Sequence, residues 1–340
     1  MGATQTGSGG RPDLLEAGYL EYRRIEYLND WHHAKHVGLV GMIQQPRRVS
    51  ELGHLLGLNH QHEKALNAFL LGLVRLGAVQ ASPADSGPLF QASSKFEAAP
   101  PDAAAIARAV DDKRAREVLD SDPSRGLIAA LRQPTPRPSA GFADKGPEAW
   151  DEVFQQPYYR HSRMEAVKRL AAIGGNVIDL GCGTGLGMME LAAMRAPIES
   201  MVGIDSNPAM VAVTAKRTAN LPEASALVHD LSKPLESIPP RSMDAAMAVG
   251  LYHFLPAPQT LLSSLSVVLR PRGILCLAHT YFRRGSFDQE LMDLRMSLGR
   301  PHGYRRSART IERQGQEANF RLLDVPFSMG CFGFFVLERR

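Results

Sequence analysis

Apolar residues recur at three- and four-residue spacing from about Leu14 to Gln80, the period of an amphipathic helix. Within "HVGLVGMIQQPRRVSELGHLLGLNHQHEKALNAFLLGLVRLGAVQ" this period predicts three helices, the first ending near Gln45-Pro46. Ser50 is placed to cap the second and Asn59 the third, since a short side-chain oxygen there can accept from an orphan helix amide. Gly77 closes the third helix, and "AVQASP" with "PLFQAS" supplies a β-wing. Residues 81–150 are interrupted, with a short Ala-rich helical stretch and then the Pro- and Gly-rich "RQPTPRPSAGFADKGP", which reads as a linker. From about Glu152 onward, short β-rich runs alternate with helical stretches, the signature of a parallel sheet wrapped by helices.

The expected division is a tail over 1–13, a helical domain with a wing over 14–100, a helical connector over 101–150, and an α/β domain over 151–340. The helix–helix–helix–wing order is a winged-helix pattern. Such modules commonly place the third helix in the DNA major groove. Here the start of that helix offers Asn59, His60, Gln61, His62, Glu63 and Lys64, with little cationic charge. A packing or dimerisation module is the preferred reading, and a metabolite-sensing DNA-binding regulator the minor one.

Composition narrows the classes further. A chain of 340 residues is long enough for two cores, and 44% hydrophobic with 22% charged residues describes an ordinary soluble protein. The net charge of +4 is scattered in short clusters such as Arg47-Arg48 and Arg305-Arg306, so no nucleic-acid partner is expected. Cys182, Cys276 and Cys331 form no CxxC pair and read as small buried residues in a reducing compartment. No apolar run is long enough to span a bilayer. "MGATQTGSGGRPD" lacks the apolar core of a signal peptide and, with no polybasic stretch after Gly2, reads as a tail. The expectation is a cytoplasmic protein without a membrane partner. Neither the carboxylates nor the Cys and His residues show metal-site spacing.

The chemistry concentrates in "VIDLGCGTGLG". An apolar strand ends in Gly181, Gly183, Gly185 and Gly187 and turns into a helix, which puts a ligand at the carboxyl edge of a sheet. The spacing is G-x-G-x-G-x-G, with Leu186 where a dinucleotide fingerprint requires its third glycine. "MVGID" then predicts a second strand tipped by Asp205, placed for two vicinal hydroxyls of a ribose. "ALVHDLSKPL" predicts a third strand ending at Asp230, and "MDAAMAVGLYHF" a fourth beginning near Asp244. Acids at these strand ends suit a cofactor with hydroxyls, an exocyclic amine and a cationic sulfur, and suit a pyrophosphate badly.

"VIDLGCGTG", "VGIDSNPAMV", "HDLSKPL" and "LRPRGILCL" together resemble the class I S-adenosylmethionine-dependent methyltransferases over about residues 160–340. The resemblance implies an α/β, Rossmann-like, doubly wound sheet of seven strands, the last antiparallel, with S-adenosyl-L-methionine as cofactor and S-adenosyl-L-homocysteine as product. It implies that Gly181, Gly183 and Gly185 let the backbone approach the methionine portion and that Asp179 orients this loop. Asp205 would take the ribose, Ser206 and Asn207 would lie beside the adenine, Asp230 would accept from its amine, and Leu231 would stack on the ring. A helix before the first strand would cover the cofactor, bringing Tyr158, Tyr159 and Arg163 to it. The N-terminal pattern is similar to that of two-domain O-methyltransferases of plants and actinobacteria, which implies a homodimer whose N-terminal domain helps roof the substrate pocket.

A methyl acceptor with a hydroxyl needs a base, and histidine titrates near working pH. His253 follows the fourth strand, where plant-type O-methyltransferases carry their base in "L-H-D-W". The tetrad here is Tyr252-His253-Phe254-Leu255, so the histidine matches and the Asp and Trp do not. Base, pocket lining and packing stay open for His253, and His279 is the second-choice base. Tyr252, Tyr281, Met292, Arg295, Met296, His302 and Tyr304 are expected around the substrate pocket. The reading is methyl transfer to a small molecule, with a hydroxyl of an aromatic or polyketide-like natural product preferred. The alternative is a non-methylating reaction such as cyclisation or hydroxylation on the same fold.

Overall fold

The computed structural model describes residues 12–58, 60–119, 146–297 and 304–340. The chain forms two compact units, Met1–Pro136 with Phe287–Leu298, and Arg137–Ser286 with Gly299–Arg340. No helix among the described residues is long and apolar enough to cross a membrane.

The first unit contains α1 (Pro12–His36), α2 (Leu39–Met42), β1 (Arg47–Arg48), α3 (Val49–Leu55), a 3-10 turn over His60–His62, α4 (Glu63–Leu76), β2 (Val79–Ser82), β3 (Leu89–Ala92), α5 (Ala103–Ile106) and α6 (Asp112–Leu119). Its small antiparallel sheet has the order β1-β3-β2. α4 buries Leu66, Phe69, Leu70 and Leu73 at helical spacing, and Gly72 lets Tyr27 of α1 come close: a Cβ there would sit 2.6 Å from the ring. Gly77 ends α4 in the left-handed region, φ 84°, with Ala78 N–H donating to the Leu73 carbonyl at 3.0 Å. The expected Ser50 cap is corrected: β1 runs directly into α3, Arg48 occupies the cap position, and no side chain caps the helix. Asn59, the other expected cap, lies outside the described residues, as do 1–11 of the expected tail and 120–145 of the connector.

The second unit contains α7 (Pro147–Phe154), α8 (Pro157–Ile173), β4 (Gly175–Leu180), α9 (Leu186–Ala193), β5 (Ile198–Asp205), α10 (Pro208–Arg217), β6 (Ala224–Val228), β7 (Met243–Val249), α11 (Gln259–Val268) and β8 (Leu269–Thr280). After α12 (Gln289–Ser297), which belongs to the first unit, follow α13 (Ala308–Glu317), β9 (Phe320–Met329) and β10 (Phe332–Arg339). The sheet order is β6-β5-β4-β7-β8-β10-β9, and β10 runs antiparallel to both neighbours. This is the expected Rossmann-like arrangement. Ile178, Leu180, Ile204, Ala246, Leu275, Leu277 and Phe335 form the heart of its apolar core. The three cysteines are buried and none is in a disulfide.

A linear division near residue 150 misses α12. Tyr27 Oη donates to the Phe287 carbonyl at 2.9 Å and accepts from Leu291 N–H at 3.0 Å, Tyr19 Oη donates to Asp288 at 2.9 Å, and Arg75 pairs with Glu290 at 2.9 Å. These bonds hold the helix within the first unit although it follows β8 in sequence.

Candidate functional site

β4 is apolar on both faces because it lies between β5 and β7. It ends in a turn where Gly181, Gly183 and Gly185 all have positive φ, at 68°, 56° and 82°. Gly187 is required by space instead: a Cβ there would lie 2.6 Å from Met247 Cε and 2.9 Å from Asp179 Oδ2. The turn is tied to β5 and α10. Gly181 and Cys182 N–H both donate to the Ile204 carbonyl, at 2.7 and 3.0 Å, and Thr214 Oγ1 donates to the Gly183 carbonyl at 2.8 Å.

Asp205, at the tip of β5, accepts from Gly183 N–H on Oδ2 at 3.0 Å and from Asn207 N–H on Oδ1 at 2.9 Å. Burial raises its pKa, and these amide bonds oppose the rise. Ser206 is exposed, and Asn207 Oδ1 caps α10 by accepting from Ala209 N–H at 2.9 Å.

Asp179 is 7% exposed, and no hydrogen bond to its carboxylate is present among the described residues. Burial pushes its pKa up to about 7; the Arg163 guanidinium pulls the other way, while Asp205 and Glu190 add to the rise. Arg163 cannot turn to it freely, because Nε and Nη2 grip Glu190 at 2.6 and 2.8 Å and Nη1 donates to the Phe154 carbonyl at 2.7 Å. Asp179, Arg163, Gly181, Gly183, Thr184, Tyr159, Phe154, Met247 and Val249 line one cavity at the carboxyl edge of the sheet. The donor set fits a cationic nucleoside: a buried carboxylate without a countercharge of its own, a turn whose Gly183 has positive φ and where a Cβ would press on Phe154 at 3.3 Å, and a second acid bound into the turn.

A family model described as a methyltransferase domain matches residues 153–325. The chain belongs to this methyltransferase family. It is similar to an uncharacterized 37.1 kDa protein in transposon TN4556 of Streptomyces fradiae, 34% identical over 105 residues, 31% of this chain and 30% of that one. It is also similar to the trans-aconitate 2-methyltransferase of Variovorax paradoxus, 29% identical over 134 residues, 38% of this chain and 49% of that one. These matches span less than half the length of either relative. Among solved structures, that of the CurJ carbon methyltransferase gives a TM-score of 0.59 at 15% identity, covering 96% of this chain and 91% of that one, which is a likeness of fold. The cofactor of this family member is S-adenosylmethionine.

Further along the sheet edge, Asp230 is exposed and its Oδ1 accepts from Ser232 N–H and Oγ at 2.9 and 2.7 Å, which lowers its pKa. β6 ends at Val228, two residues short of the expected strand end. Leu231 is packed in the apolar core at 4% exposure. Neither residue is among those lining the cavity described above.

His253 lies on a 3-10 turn, Tyr252–Phe254, just past β7, with its ring 4.1 Å from that of Phe254 and 6.4 Å from that of His279. His279 is fully buried at the end of β8. Its Nδ1 bonds the Thr280 carbonyl at 2.9 Å, so Nδ1 carries the proton, and burial pushes its pKa down to about 4. Tyr252 is also fully buried; its hydroxyl donates to Gln314 Oε1 at 2.8 Å and its pKa is raised by burial. Tyr281 packs edge-on to Phe335 at 5.3 Å. Tyr304 is exposed, and its N–H donates to the His253 carbonyl at 2.6 Å. Met292 is buried on α12 and therefore belongs to the first unit. His302 and the side chains of Arg295 and Met296 lie outside the described residues.

Some residues in and around the cavity carry no motif. Phe154, which lines it, and Asp151 sit three apart on α7, and nothing in the sequence marks either of them. Glu190 stands four residues beyond Leu186 on α9, with nothing in the sequence to mark it as the partner of Arg163.

Proposed function

We propose that this methyltransferase acts on the hydroxyl of a small aromatic or polyketide-like molecule, with His253 as the general base. The observation that carries the reading is the position of His253. It lies four residues after Val249, a cavity-lining residue at the end of β7, on a short turn whose carbonyls are gripped from outside. Arg306 provides that grip, donating to the carbonyls of Tyr252 and Tyr304 at 3.3 and 3.2 Å and of Leu255 and Pro256 at 2.6 and 3.0 Å. A base must be held within hydrogen-bond reach of the proton it takes, and a fixed turn serves that need. His279 is the weaker choice: sealed from solvent and neutral, it supports the ring stack beneath His253 through Tyr252 and Phe335.

S-adenosylmethionine supplies, when bound, an electrophilic methyl group on a sulfonium. Asp179 offsets positive charge in the cavity, Asp205 keeps free lone pairs for ribose hydroxyls while fixing the turn, and Tyr159 and Arg163 line the wall. Ser206 and Asn207 lie next to Asp205 for the adenine edge, and Asp230 is open to accept from an exocyclic amine. His253 would accept the proton of the acceptor hydroxyl. The first unit, with its helix–strand–helix–helix–strand–strand order and antiparallel sheet, is read as a winged-helix module that builds a homodimer; a dimer by sedimentation is the expected result.

Screening acceptors with methyl-labelled cofactor tests the reading. Label on a phenolic or alcoholic oxygen supports it. Transfer only to carbon or nitrogen, or turnover without transfer, overturns the hydroxyl assignment.

A further inference from the structure

We infer that Asp151, Thr184 and Arg217 form a latch that seats α7 against the glycine turn and controls how fast the cofactor leaves. These are positioning residues, and the inference rests on the cofactor occupying the cavity beside that turn.

Three elements converge on Asp151. From the turn, Thr184 Oγ1 donates to Asp151 Oδ1; from α10, Arg217 Nη1 donates to the same oxygen at 3.0 Å and Nη2 to Oδ2. Arg217 Nη1 also reaches the Thr184 carbonyl at 3.0 Å, which closes the set. Burial acts to raise the Asp151 pKa, but Arg217 and Thr184 together outweigh it and hold the carboxyl below its ordinary value. Thr184 is 1% exposed and stands between two glycines of positive φ, so its hydroxyl is the side-chain handle by which α7 can hold that part of the turn.

The latch matters because of what lies one turn along the helix. Phe154 faces Gly183, its ring 3.3 Å from where a Cβ on that glycine would lie, and forms part of the cavity wall. Trp150 stacks on Phe154 at 5.7 Å. α7 has eight residues, too few to hold itself as a helix in water, so its seat depends on bonds to other elements. Two such bonds are the latch at Asp151 and the Arg163 bond to the Phe154 carbonyl. Removing the first takes away the anchor that ties the wall residue's helix to the glycine turn.

The test is dissociation of S-adenosylhomocysteine from the full-length protein, followed by stopped-flow tryptophan fluorescence with Trp150 as the local reporter. Asp151→Asn and Thr184→Val are expected to release it about tenfold faster or more, the range for losing a hydrogen bond to a charged group. Thr184→Ser, which keeps the hydroxyl, should stay within about twofold of the parent protein. Should Asp151→Asn fail to fold, Thr184→Val decides, with far-UV circular dichroism confirming its fold. Release from Thr184→Val at the parent rate, or equally fast release from Thr184→Ser, overturns the latch while leaving the cofactor assignment standing. If the parent protein does not bind S-adenosylhomocysteine, the cofactor assignment fails first and the latch with it.

Discussion

The amide of Gly183 donates to Asp205 Oδ2 at 3.0 Å, so the acid at the tip of β5 holds the shape of the turn that follows β4. The same carboxylate fixes the backbone entering α10 through Asn207. Asp205→Ala removes both bonds together with the ribose contact. Affinity for S-adenosylhomocysteine is expected to fall by roughly 1–3 kcal/mol, read by titration calorimetry. Parent-like affinity would show that neither role counts.

Two glycine substitutions should move stability in opposite directions. Gly187→Ala drives a Cβ into Met247 and Asp179 and should cost about 1–3 kcal/mol, as overpacking does. Gly53→Ala, inside α3, meets nothing closer than Glu63 Cγ at 3.8 Å and should gain about 0.4–1 kcal/mol by restricting the unfolded chain. Denaturant titration of the two proteins measures both.

Asp179 makes the protein pH-dependent in an unusual sense. Its folded pKa, near 7, lies above the unfolded value of about 3.9, so the native chain binds more protons in that interval. The group's contribution to stability is therefore greatest below about pH 4 and is lost as pH rises towards 7. Arg163 from α8, Glu190 from α9 and Asp205 from β5 are the charges that set this value. Asp179→Asn should flatten this part of the profile in thermal melts. Cofactor binding should expel a proton below pH 7, which calorimetry in buffers of different ionisation enthalpy detects; a buffer-independent heat would argue against it.

His253→Ala should lower turnover about 10²–10⁴-fold with cofactor affinity kept, if the residue removes the acceptor proton. A loss under about tenfold would reduce it to pocket lining. His279→Asn should perturb the pH profile little, because the native ring is already neutral throughout the working range.

Much of this site was legible in the chain. The run from Val177 to Gly187 specified strand, turn and helix because each demand is local: apolar side chains for both sheet faces, glycines where φ is positive or a neighbour crowds the backbone. Gly77 was equally readable as a helix end. Ser50 is not the cap because a strand feeding straight into α3 moves the helix start two residues earlier, to a cap at Arg48, which cap preference alone does not register. Leu231, which the resemblance implies beside the adenine, and Tyr252, expected at the substrate pocket, both bury their side chains in the core, a burial that their place after strands does not reveal.

The amino-acid order by itself determined the α/β alternation and the two acids flanking the glycine turn, because periodicity and backbone dihedrals are properties of near neighbours; the seven-stranded sheet with its reversed strand is what the family resemblance implies and the structure bears out. Only the tertiary structure decided that Asp151 meets Thr184 and Arg217, that Glu190 occupies Arg163, that α12 belongs with α1 and α4, and that His279 is neutral. Those outcomes depend on which distant segments share a buried volume. Desolvation and pairing are fixed by the folded path of the chain and leave no trace in the spacing of its residues.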